Sequence, residues 1–468
     1  MKNNTDFAYQ AVYRYLVRLV DQEQGELALK MPSLRQLARR LNVSISTVQS
    51  AYSLLEKEGR VCSQPKSGYY SVPRSLSEQG QLLPDANGDL LQALYDNARR
   101  PGMALLGCDE PALLHAHDSP LPAMERELGR HYPQQRDPVF QPFGEPELRT
   151  ALAARYTRDA AHCWHADNVY VTADLQGAFK AVLGTLGLRG GTVLVESPCA
   201  WSLLRLLQSF DIQVIELPLD DTGCLDATRL DGLLRGHDIG LAVLPSLLNP
   251  VRGSVRPQDN SQAVAEVLNR HQVWVLENDS HAGLQFVAGQ APLRDWIDPQ
   301  RLVIVGGFEK SLGPEAPYAY LLCKSLDARW QQYFCLRAFE LPPIRQRAIA
   351  RLCSSGRLDR QLMALRETLG TRMQSMTQQL DEQTGGMLRY QLPEGGCGMW
   401  VESAYPVDMR QVFVALLGQS IVVSPGELFT LQNRYSQHLW VSYASDWTRE
   451  PARLLGALGE ALSQARLP

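Results

Sequence analysis

Residues 303–324 read VIVGGFEKSLGPEAPYAYLLCK, and Lys310 stands just beyond a β-branched run and a glycine-marked turn. A lysine amine can condense with a carbonyl to a Schiff base, which makes Lys310 one candidate for such chemistry. Other apolar runs close on polar residues in the same way: TADLQ (172–176), ESPCAW (196–201), LLNPVRG (247–253) and ENDSHAG (277–283). A second chemistry is written near the N-terminus. There Ser44, Ser46, Thr47, Gln49 and Ser50 put hydroxyls and an amide on one helical stretch. Such groups hydrogen-bond base edges and phosphates in a major groove.

Each set needs elements to hold it. Around the polar stretch, three helical patterns follow one another. AYQAVYRYLVRLV carries Val12, Tyr15, Leu16 and Leu19 at helical spacing. Ser33 is a good N-cap after Pro32, and Leu34, Leu37, Ala38 and Leu41 recur at i, i+3, i+4, i+7. NVS then breaks the pattern, and a third helix is expected from Ser44 with Val48, Ala51, Tyr52 and Leu55 on its inner face. Two short amphipathic helices joined by a three-residue turn make a helix-turn-helix. After Gly59, RVCSQPKSGYYSV reads as a β-hairpin wing with Lys66 and Gly68 at its tip.

Charge agrees with that division. The 468 residues carry a net −4, yet residues 1–75 hold eleven Lys and Arg against six Asp and Glu, or +5, which leaves −9 for the remainder. A basic head on an acidic body is the asymmetry of an attached nucleic-acid reader. Apolar residues make up 45%, enough for a sizeable core. Nine cysteines are scattered singly with no C-x-x-C pair, which argues against a disulfide framework or zinc module and fits a reducing cytoplasm. HCWH (162–165) has no further ligand nearby, so no metal site is expected. The N-terminus lacks the apolar core of a signal peptide, and no run is long enough to span a membrane.

From about residue 140 helix-like and strand-like segments alternate, the strands NVYVTA, GGTVLVESP, IQVIELP, IGLAVLP, QVWVLEND and RLVIVGGF being apolar throughout. That pattern predicts an α/β domain with a parallel or mixed sheet covered on both faces. Ligands in such sheets sit at the carboxyl ends of the strands, and Lys310 belongs to that set. The expected domains are a winged helix-turn-helix over 1–75, a linker over 76–100, a large domain over 101–335 and a small C-terminal domain over 336–468.

MPSLRQLARRLNVSISTVQSAYSLLEKEGRVCSQPKSGYY resembles the winged helix-turn-helix of the GntR family, with matches at Pro32, Ser33, Arg35, Leu37, Ala38, Leu41, Val43, Ser44, Thr47, Val48, Ala51, Tyr52, Leu55 and Gly59. The body, through FGEPELR, VLVESP, LPLDDTGCLD, Asn249-Pro250, PEGGCGMWVE and IVVSPGELF, resembles fold-type I aminotransferases that use pyridoxal phosphate. Together they resemble the MocR subgroup of GntR regulators. The resemblance implies double-stranded DNA as a partner, with Arg35 on phosphate, a homodimer formed through the body, a small-molecule effector, and a small α+β C-terminal domain. It assigns Lys310 to the cofactor aldehyde, Asn249 to the phenolic oxygen and Tyr320 to the aromatic after the lysine.

Against that family pattern the sequence departs where charge must meet the cofactor. Ile45 stands where a base-reading arginine is common. Pro317 replaces a phosphate-clamping arginine, and Asp174 replaces a glycine whose backbone approaches the phosphate. Gly307 and Glu309 replace flanking serines. The stacking aromatic falls on Ala200 with Trp201 beside it, and the pyridine-nitrogen aspartate falls on Asn278, with Asp279 one place later. Trp440 replaces the arginine for a substrate carboxylate. The expectation is a regulator whose pyridoxal phosphate site is largely degenerate, with Lys310 vestigial. The alternative is a regulator that binds the cofactor, or a working aminotransferase, through Lys310.

Overall fold

The computed structural model describes residues 12–17, 19, 30–57, 61–64, 68–71, 89–100, 102–107, 119–131, 141–160, 162–287, 289–336, 341–444 and 451–467. Two compact units divide the chain, Met1–Leu83 and Pro84–Pro468.

In the first unit, residues 12–17 are helical and bury Val12 and Leu16 against the helix Leu34–Leu41 and the helix Ile45–Lys57. Ser33 caps the former through a reciprocal capping box with Gln36, which satisfies two amides that the helix leaves orphaned. Asn42 ends it in the left-handed conformation at φ 53, a geometry that Asn tolerates and that turns the chain sharply. Ser44 Oγ then accepts the Thr47 amide at 3.1 Å and steadies the start of the next helix. Val48, Ala51, Tyr52 and Leu55 are buried on its inner face. The antiparallel strands β1 (Val61–Gln64) and β2 (Gly68–Ser71) form the hairpin, Val61 facing Ser71. Tyr52 stacks on Tyr69 at 4.4 Å and donates to the Pro32 carbonyl at 2.7 Å, tying hairpin to helix.

The second unit opens with the helix Leu90–Ala98, capped by Asp89, which falls inside the stretch read as a linker. Strand β3 (Ala104–Leu105) follows, and then the large sheet. Its strands are β4 (Val169–Thr172), β5 (Thr192–Ser197), β6 (Gln213–Pro218), β7 (Ile239–Pro245), β8 (Trp274–Asn278), β9 (Leu302–Gly307) and β10 (Ala319–Cys323). They lie in the order β4-β10-β9-β8-β7-β5-β6. β10 runs antiparallel to both neighbours and the remaining pairs are parallel. Nearly every residue of the central strands is buried, as sequences apolar on both faces require.

Beyond the long helix Arg357–Thr384 a smaller antiparallel sheet is built from β11 (Leu388–Tyr390), β12 (Gly398–Ser403), β14 (Ser424–Pro425) and β15 (His438–Ser442), in the order β11-β12-β15-β14. β13 (Ile421–Val422) pairs in parallel with β3. The segments GMWVE and HLWVSYA are thus strands, as expected, and one apolar core unites this sheet with the helix Leu90–Ala98. No described helix is long and apolar enough to cross a membrane.

Candidate nucleic-acid interface and ligand cavities

On the first unit, the helix Ile45–Lys57 leaves Ile45, Ser46, Gln49 and Ser50 exposed on one face, while Val48 and Ala51 turn inward. Ser44 is exposed at its start, with its hydroxyl within 2.8 Å of Ser46 Oγ and 2.7 Å of Thr47 Oγ1. Those hydroxyls are linked to one another. Gln49 is exposed beside them. Arg35, Arg39 and Arg40 are exposed along the preceding helix, and Gly68 opens β2 at φ 110, a backbone only glycine adopts freely. Lys66 lies outside the described residues.

In the second unit the polar strand ends converge, as the alternation implied, but into two cavities. The first, of about 350 Å³, is lined by Asp174, Glu196, Asn249, Asn278, His281 and Lys310 among others. Asp174 caps the helix Leu175–Leu186, its Oδ1 accepting the Gly177 amide at 2.5 Å. A carboxylate therefore occupies the helix N-terminus, where an anion would otherwise be held. Asn249 is buried and donates from Nδ2 to Glu196 Oε1 at 2.7 Å and to the Pro198 carbonyl at 3.2 Å. Its Oδ1 accepts the amides of Val251 and Arg252 at 2.9 and 2.7 Å. Both amide hydrogens are engaged within the chain, so none faces a phenolic oxygen. Asn278 contributes a neutral amide, which cannot hold a ring nitrogen protonated as a carboxylate does. Pro317 is exposed and does not line this cavity. These residues do not fit the charged groups of the cofactor.

Glu196, which lines this cavity, forms a buried ion pair with Arg256. Sequence reasoning missed both, as well as His281. The run VLVESP carried a signal for Glu196, a charged residue inside a buried strand, where ions are found only when paired.

Asp279 and Tyr320 face elsewhere. They line a second cavity of about 330 Å³ with Tyr156, Arg294 and Arg366. Tyr156 donates to Asp279 Oδ2 at 2.5 Å, Arg294 reaches Asp279 Oδ1 at 3.0 Å, and the Tyr156 and Tyr320 hydroxyls are 3.1 Å apart. Burial, reinforced by the Asp279 charge, holds both phenols well above their ordinary range. Asn278 ends β8 on the side of the first cavity and Asp279 on the other, as residues adjacent along an extended chain do. Lys310, in the short helix Glu309–Leu312 that follows β9, lines both cavities.

Trp201 and Trp440 line a third, apolar cavity of about 310 Å³ that shares Ala200, Ser202 and Pro250 with the first. Trp440 is 2% exposed and packs over Gly398, where a Cβ would lie 2.3 Å from the indole. Phe429 sits between the two rings, 5.0 Å from Trp201 and 6.5 Å from Trp440. Among the described residues no group of three or more His, Cys, Asp and Glu side chains could hold a metal ion.

Residues 102–457 match the family model for aminotransferase class I and II, and residues 8–70 match that for bacterial regulatory proteins of the gntR family. The HTH-type transcriptional regulator YjiR of Escherichia coli is 25% identical, over 98% of this chain and 99% of its own length. The HTH-type pyridoxine biosynthesis transcriptional regulator PdxR of Corynebacterium glutamicum is 25% identical over 72% of this chain and 70% of its own. Among solved structures, the kynurenine aminotransferase of Pyrococcus horikoshii superposes with a TM-score of 0.72 at 17% identity, covering 84% of this chain and 96% of that one.

Proposed function

Because this chain belongs to the class I and II aminotransferase family and carries a gntR-family head, the MocR architecture, we propose how a transcription regulator of this build uses each part. The head binds duplex DNA. Arg35 and Arg39 neutralise phosphates, and Gln49, with the hydroxyls of Ser44, Ser46 and Thr47 behind it, reads a base edge. Lys66 and Gly68 of the wing follow the backbone alongside. The body pairs two chains, so that two heads meet two half-sites.

In this reading the body does not transaminate and holds pyridoxal phosphate weakly or not at all. The observation that carries this is the Asp174 carboxylate on the Gly177 amide, at the helix end where the phosphate would need donors. A phosphate brought there meets a fixed negative charge, at a cost on the order of several kcal/mol in a partly dry site. Loss of an arginine–phosphate pair and of a pyridinium–carboxylate pair removes roughly 1.5–3 kcal/mol each. At 1.4 kcal/mol per decade, affinity falls by about three decades or more. The apolar cavity beside Trp201 and Trp440 favours an uncharged or apolar effector in place of an amino acid.

Titrating the purified full chain with pyridoxal phosphate, while following its visible absorbance, tests the proposal. The expected result is no saturable chromophore at micromolar cofactor. A micromolar chromophore that disappears in Lys310→Ala and shifts when an amino acid is added would overturn it and restore a cofactor-sensing or enzymatic body.

A further inference from the structure

The two cavities that share Lys310 differ in charge. The first presents Asp174, Glu196 and Glu309 against Lys310. The second presents Arg155, Arg294, Arg366 and Lys310 against Asp279. Two of these arginines are already matched. Arg155 meets Asp359 at 2.7 Å, and Arg294 is held between Asp279 and Glu277. Burial pushes the Glu277 carboxyl up from its ordinary range, while contact with Arg294 opposes that shift.

Arg366 stands apart. It projects from the long helix Arg357–Thr384, is partly buried, and donates from Nε to the Gly283 carbonyl at 2.7 Å. No carboxylate among the described residues pairs with it. The bond to Gly283 fixes the guanidinium plane and leaves the two terminal nitrogens for another acceptor. A guanidinium so oriented, facing a cavity that also holds a lysine, matches the fork geometry by which arginine takes a carboxylate or phosphate. The hydroxyl of Ser311 lines the same cavity.

We propose that the second cavity is a binding site for a small anion, its carboxylate or phosphate group resting on the Arg366 guanidinium. The site adjoins the cofactor-type cavity, with which it shares Ser280 and Lys310. Its volume of about 330 Å³ suits a small metabolite.

The test uses the full chain without DNA. Sodium phosphate and sodium succinate are titrated by calorimetry, and thermal unfolding is followed in parallel, each against sodium chloride at equal ionic strength. Saturable binding of phosphate or succinate, with an upward shift in Tm that chloride does not reproduce, is expected; which salt binds more tightly separates a phosphate from a carboxylate ligand. Arg366→Gln should weaken binding at least tenfold. Arg366→Lys, which keeps the cation but not the fork, should fall between Arg366→Gln and the native chain. Absence of saturable binding to the native chain overturns the proposal, even where a variant fails to fold. So does equal affinity in the native chain and the Arg366 variants.

Discussion

In the head, the groups that could touch a ligand are exposed, Gln49 on the helix Ile45–Lys57 and Arg35 and Arg39 on the helix before it. In the cofactor-type cavity of the body, the polar residues are present but turned on one another: Asp174 on a helix end, Asn249 on Glu196 and Pro198, Glu196 on Arg256. A residue in a ligand-binding position acts on a ligand only if its donors and acceptors are left open. The head keeps that openness. The cavity's polar groups are spent on one another, and a buried polar network of that kind stabilises by being satisfied.

The largest effect that could break this comparison is electrostatic. On the proposed dimer, two heads each using Arg35, Arg39 and Lys66 would neutralise about six phosphates, and DNA affinity should fall by about 10³ between 50 and 200 mM salt. Fluorescence anisotropy across a salt series measures it. A nearly flat series would mean that the exposed arginines do not meet the backbone. Arg35→Ala should reduce the slope by about one contact on every sequence.

Next comes the internal network. Asn249→Ala removes two donors and two acceptor contacts at a buried site, and it strands Glu196 Oε1 and the amides of Val251 and Arg252. Unsatisfied buried groups cost about 1–3 kcal/mol each, so urea unfolding should show a loss of about 3 kcal/mol or more. Asn278→Ala, whose Oδ1 accepts only a long 3.2 Å bond from the Ser280 amide, should lose about 1 kcal/mol. Equal losses would mean that Asn249 is no more structural than its neighbour in the cavity.

How far the sequence could reach follows the same line. Helical spacing placed the helix-turn-helix, and the apolar strands placed the mixed sheet with Lys310 at its edge. Those features depend on local periodicity. Side-chain partners depend on packing: nothing in LLNPVRG shows that both Asn249 hydrogens are taken. The adjacency of Asn278 and Asp279 raised the matter of register, and the opposite facing of neighbouring strand residues answers it in the structure. Arg366 carried no signal, because its place beside Lys310 is set by the long helix returning over the sheet from a distant part of the chain.

A smaller effect sharpens the account of the cavity. Asp174→Gly removes the carboxylate and frees the Gly177 amide, while glycine at an N-cap costs the helix only a few tenths of a kcal/mol. Relief of about 2 kcal/mol of repulsion and a regained amide donor should raise pyridoxal phosphate affinity about thirtyfold. Absorbance titration of the variant beside the native chain gives the ratio. No change would place the obstacle at Asn278 or Pro317.

The smallest effect concerns which residue of the head reads sequence. Gln49 is exposed on the same helical face as Ser46 and Ser50, one turn in from the helix start. Its amide presents a donor and an acceptor together, the pair that matches an adenine edge, whereas the Ser46 hydroxyl is short and tied to Ser44, and the Ser50 hydroxyl donates to the Ser46 carbonyl. Gln49→Ala should therefore cost about 1.5 kcal/mol on the preferred site and little on unrelated duplexes, a roughly tenfold fall in the specificity ratio at one base pair. Arg35→Ala should weaken all sequences alike, because phosphate is common to them. The measurement is a competition assay in which each variant is challenged with the preferred site and with its single-base substitutions. If Gln49→Ala lowered every affinity by the same factor as Arg35→Ala, the amide would be a backbone contact. Base reading would then pass to Ser46 and Ser50, and the open face of the head would be an electrostatic surface with little sequence preference of its own.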